Sequence, residues 1–74
     1  MTKEIVDALQ AKYQASKLEA IANLKNYVEN PAGIGEHPNI VEECDKLVKQ
    51  IASADEGLET LDALFTKPGE DQNG

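Results

Sequence analysis

Ile40, Cys44, Leu47, Ile51, Ala54, Leu58, Leu61 and Phe65 follow one another at spacings of 4, 3, 4, 3, 4, 3 and 4. An α-helix returns to the same face every 3.6 residues, so this alternation gathers all eight side chains on one stripe and predicts one continuous helix. A strand cannot carry it, because strand side chains repeat every second residue. Cys44, Ile51, Leu58 and Phe65 fill one core position of the heptad, and Ile40, Leu47, Ala54 and Leu61 fill the other. Val41, Val48, Ala52 and Leu64 widen the stripe, which suits a helix with more than one neighbour. Opposite lie Glu42, Lys46, Lys49, Glu56, Glu59 and Thr60. Glu42–Lys46 and Asp45–Lys49 have the spacing of i,i+4 ion pairs, worth about 0.3 kcal/mol each.

The first 30 residues contain neither Pro nor Gly before Pro31 and are rich in Ala, Leu, Lys, Glu and Gln, which are good helix formers. They predict a second helix over 2–29, with Thr2 as its N-cap. Its pattern is double. Val6, Leu9, Tyr13, Ala20, Leu24 and Tyr27 form one apolar patch. Ala8, Ala11, Ala15, Leu18 and Ala22 form another, with Ile21 and Val28 between the two. A polar strip of Lys12, Ser16, Glu19, Asn23 and Asn26 is expected to face water. Two apolar faces imply two neighbours.

Between the helices, Asn30-Pro31-Ala32-Gly33-Ile34-Gly35-Glu36-His37-Pro38 concentrates two prolines and two glycines in nine residues, which ends one helix and starts the next. Two start points compete. Pro38 suits a first helical turn, whereas Asn39 followed by Glu42 has the spacing of a capping box. The reading adopted is a loop over 30–37 and a helix over 38–65. No apolar residue anchors 68–74, which are expected to be disordered.

Nearly equal helices joined by a short loop predict an all-α, antiparallel two-helix hairpin over residues 1–67. A hairpin alone leaves much of both stripes in water, forfeiting several kcal/mol at about 25 cal/mol per Å². Small chains recover such losses with disulfides, metals or oligomers. Cys44 is the only cysteine and His37 the only histidine, so neither an internal disulfide nor a Cys/His metal set is available. Dimerisation into a four-helix bundle remains, with Cys44, Leu47, Ile51, Leu58, Leu61 and Phe65 as its self-association core. With the turn near Ile34, Tyr13 stands level with positions near 55, so its ring is expected over Ala54 and Gly57.

The net charge of −7 is unevenly placed. Residues 1–30 balance four lysines against four acids, and residues 31–74 carry three lysines against ten acids. Arginine is absent. Phosphate neutralisation by Lys and Arg supplies most nucleic-acid affinity, so direct nucleic-acid binding is not expected. The charged start lacks the apolar stretch of a signal peptide, and no run reaches the roughly 18 residues of a membrane span. A cytoplasmic chain without membrane contact is expected.

No catalytic residue, cofactor site or metal site can be placed. Glu36 and His37 lack a third positioned group. Gly33-Ile34-Gly35 lacks the Lys-Ser/Thr of a phosphate loop and reads as a turn. Cys44 lies on the seam and reads as a small buried hydrophobe. Ile34 and the acidic cluster Asp55, Glu56, Glu59 and Asp62 remain as candidate partner-binding residues.

The stretch Asn30-Pro31-Ala32-Gly33-Ile34-Gly35-Glu36-His37-Pro38-Asn39-Ile40-Val41-Glu42-Glu43 resembles small helical proteins of tailed, myovirus-type bacteriophages, and the likeness extends through Leu61. The resemblance implies a protein made inside an infected bacterium. It brings no catalytic or binding residues. The reading that follows is a non-enzymatic interaction module that pairs with itself and engages another protein. Its alternatives are a structural part of a phage particle and an acidic mimic that occupies a nucleic-acid-binding protein.

Overall fold

A computed structural model describes residues 2–30 and 39–65. They form two helices, α1 over Thr2–Glu29 and α2 over Ile40–Phe65, with no strand among the described residues. The all-α hairpin expected from the seam is the architecture found. Of the expected 30–37 loop only Asn30 is described, and residues 68–74 lie outside the described residues, as do Ile34, Glu36 and His37.

The helix ends follow local chemistry. Asn30 N–H donates to the Asn26 carbonyl at 3.0 Å, extending the last turn of α1 up to Pro31. At the start of α2, Asn39 Oδ1 accepts from the Glu42 N–H at 3.1 Å, and its carbonyl accepts from the Glu43 N–H at 3.1 Å. Asn39 is thus the N-cap, and α2 begins at Ile40 rather than at Pro38. An N-cap side chain can reach the third helical N–H only from outside helical geometry, which fixes the boundary there. At the other terminus α1 already includes Thr2.

The helices are antiparallel. Val6 and Gln10 lie beside Phe65, Tyr13 meets Gly57, Ser16 meets Gln50, and Asn26 and Tyr27 border Glu43 and Leu47, so partners descend on α2 as residues ascend on α1. The seam of α2 faces α1, with Ala54 and Leu61 buried and Ile40, Cys44, Leu47, Ile51 and Leu58 half-buried. From α1 come the half-buried Val6, Leu9, Tyr13, Leu24 and Tyr27 around a fully buried Ala20. Gly57 lies beneath Tyr13 as expected. A Cβ there would stand 3.0 Å from ring atoms Cδ2 and Cε2.

Three expectations need correction. Ser16 does not face water: it turns toward α2, where Gln50 Nε2 donates to its carbonyl at 3.0 Å and its hydroxyl at 3.1 Å. The pair satisfies two polar groups inside the contact, so a polar residue is tolerated there. Lys46 pairs with Glu43 at 3.4 Å, not with Glu42. Positions i,i+3 and i,i+4 are both within reach on a helix, and Glu43 stands on the groove side that Lys46 also borders. Phe65, at the end of the seam, is 53% exposed. It stands level with the first turns of α1, where the opposing helix is running out. The Asp45–Lys49 pair forms as expected, at 3.2 Å.

Candidate functional site

Two polar links divide the hairpin into two faces. Residues 16 and 17 point about 100° apart on α1, and residues 50 and 55 about 140° apart on α2. The Ser16–Gln50 hydrogen bonds therefore mark one edge of the helix contact, and the Lys17–Asp55 ion pair, 2.7 Å, marks the other.

The amide-linked face is polar over much of its length. Near the loop end, Asn23, Asn26, Tyr27, Glu43, Lys46, Leu47 and Gln50 line an open groove of about 470 Å³. Toward the far end, Tyr13, Ser53, Glu56, Gly57, Thr60 and Leu61 line a second of about 430 Å³. The polar strip expected to be solvated thus flanks the helix contact: Asn23 and Asn26 border the groove, while Lys12 and Glu19 remain open to water.

The ion-pair face is different. Counting from Asp55 by heptads toward the loop reaches Val48 and Val41, which are 50% and 79% exposed. Four and eleven residues on from Lys17 come Ile21, half-buried, and Val28, 64% exposed. Cys44 and Ile51 sit between these rows, half-buried. The half of this face nearest the loop is therefore apolar. The half beyond the ion pair carries Glu59 and Asp62, both exposed. On the back of α1 the row Ala8, Ala11, Ala15, Leu18 and Ala22 is exposed throughout.

The six residues expected to form a self-association core do not sit at a free surface. Cys44, Leu47, Ile51, Leu58 and Leu61 already contribute to the contact with α1, and Phe65 lies at its exposed end. What remains accessible is their outer edge. The four acidic candidates are also not one patch. Asp55 is tied to Lys17, Glu56 borders the groove of the amide-linked face, and Glu59 and Asp62 turn toward the ion-pair face. Sequence reasoning missed Lys17 because the pairing depends on how the two helices are rotated against each other. Ile34, the other candidate, lies outside the described residues.

Among the described residues no group of three or more His, Cys, Asp or Glu is placed to hold a metal ion, and no helix is long and apolar enough to cross a membrane. The physical capacity visible on this surface is burial of apolar side chains next to paired charges. No family model matches the chain, and neither a curated protein nor a solved structure matches it.

Proposed function

We propose that this chain is a non-enzymatic protein–protein interaction module, a helical hairpin that self-associates into a four-helix bundle and through that bundle engages a further protein. The observation that carries this reading is the balance of burial. Among the described residues only Ala20, Ala54 and Leu61 are buried, whereas Ile5, Leu18, Val28, Val41, Val48, Leu64 and Phe65 are each at least half exposed. Two of the three buried side chains are alanines, which contribute little apolar area. Fully burying a Val, Leu, Ile or Phe side chain is worth roughly 1.5–3 kcal/mol, and small domains are only 5–15 kcal/mol stable. Covering several of these side chains is therefore comparable to the stability of the whole unit.

The likeness of residues 30–43 to small myophage proteins supports a setting in an infected bacterium, where the further partner is either a host component or a part of the phage particle. The acidic-mimic reading draws less support, since Lys17 neutralises Asp55 and Glu56 lies on the other face.

Thermal unfolding across a range of chain concentrations tests self-association. An obligate dimer gains stability with concentration by mass action, so the midpoint is expected to rise several degrees over a hundredfold increase. A midpoint independent of concentration would overturn the reading.

A further inference from the structure

We propose that the ion-pair face is where two copies meet, with the two-fold axis running along the helices. Both loops then lie at the same end, and α1 of each chain rests on α2 of its partner. This deepens the self-association reading and rests on it.

Area supports the choice of occupant. Each helix is about 40 Å long, and neighbouring axes lie 8–10 Å apart, so one face of the hairpin measures roughly 40 by 20 Å. That is about 800 Å², the area each partner contributes to a stable interface of ordinary size. A second copy presents a face of matching dimensions by construction.

The distribution of side chains then selects the orientation. Toward the loop the face offers Ile21, Val28, Val41 and Val48; beyond the Lys17–Asp55 pair it offers Glu59 and Asp62. With the axis along the helices every level meets itself, so the apolar half covers the apolar half. With the axis across the helices the loops lie at opposite ends, and the exposed valines meet the carboxylates at Glu59 and Asp62, which lose water without gaining a partner. Isologous contact with all neighbours antiparallel is also the ordinary packing of four-helix bundles.

Cys44 reports on the arrangement. It is half-buried and points between α1 and this face. In the proposed dimer the two Cys44 side chains stand at one level across the bundle. In the opposite-end dimer they lie about 25 Å apart along the axis, since Cys44 is eight to nine residues from the middle of α2 at 1.5 Å per residue. Diagonal helices are too far apart for the 4.4–6.8 Å Cα separation of a disulfide, so a short bismaleimide is the appropriate probe.

Wild-type chain treated with this reagent at micromolar concentration is expected to convert mainly to covalent dimer, and Cys44→Ser is expected to abolish the product. In sedimentation equilibrium, Val48→Lys is expected to weaken the dimer roughly 100-fold or more by burying an unpaired charge. Ala15→Lys, on the back of α1, is expected to leave it dimeric. A monomeric wild type would overturn self-association itself. A dimeric wild type that gives no Cys44 cross-link, or that stays dimeric as Val48→Lys, would overturn this face and orientation while leaving self-association standing. If Val48→Lys unfolds, the cross-link on the unmodified chain decides.

Discussion

Replacing Gly57 with Ala sets two effects of similar size against each other. In a helix interior, Ala is favoured over Gly by about 1 kcal/mol. Against this, the new methyl would stand 3.0 Å from Tyr13 Cδ2 and Cε2 and 3.2 Å from Cζ, where carbon atoms prefer roughly 3.5–4.0 Å. The ring must therefore retreat by about half an ångström or more. Forcing an extra methylene into a filled site costs about 1–3 kcal/mol. The cost here falls in the lower half of that range, because Tyr13 is half-buried and its ring borders an open groove into which it can tilt. Gly57→Ala should therefore be neutral or destabilising by up to about 1 kcal/mol. In a Tyr13→Ala background the obstacle is gone, and the same substitution should stabilise by about 1 kcal/mol. The coupling energy is then about 1–2 kcal/mol, the size measured for residues in direct contact. Thermal melts followed by far-ultraviolet circular dichroism would read it, at one chain concentration for all four proteins. A domain of this size shifts by about 4–8 °C per kcal/mol. Sucrose added equally to every sample keeps the weakest variant folded. An equal gain from Gly57→Ala in both backgrounds would refute the placement of Tyr13 over Gly57, and with it the register of the hairpin.

Two further pairs of substitutions probe the seam and the cap. Ile51→Asp puts a carboxylate at the centre of the seam and should cost more than about 3 kcal/mol, while Glu19→Lys, on the exposed strip of α1, should change stability by less than about 0.5 kcal/mol; similar damage from both in urea titrations would mean that the buried face is misassigned. Asn39→Ala removes the side-chain acceptor for the Glu42 N–H and should cost about 1 kcal/mol, whereas Asn39→Asp should be close to neutral. An Asn39→Ala protein as stable as the wild type would show that α2 starts elsewhere.

The heptad seam made the second helix, its buried face and the antiparallel partner legible before any coordinates. The pairing of Tyr13 with Gly57 was also legible, because equal helices about one turn fix which residues stand level. What escaped the sequence depended on rotation and end effects. Ser16 reads as outward because it is polar, yet Gln50 supplies it with two hydrogen bonds inside the contact. A pattern of apolar and polar letters does not encode such a partner. The acidic cluster read as continuous because its neutralising lysine comes from residue 17, far away in sequence. Phe65 reads as core by spacing, but a seam cannot report where the opposing helix ends. The wide stripe on α2 holds more apolar side chains than α1 covers: Val41 and Val48 stay exposed at 79% and 50%.

Sedimentation equilibrium of the full chain at tens of micromolar bears on all of this at once. A hairpin that buries only Ala20, Ala54 and Leu61 among its described residues should not persist alone. The expected result is a single species of about 16 kDa, twice the 8.0 kDa chain mass, sharing one cooperative unfolding transition. A monodisperse species of 8.0 kDa that unfolds cooperatively at the same concentration would contradict it, because the exposed apolar face would then need no second chain.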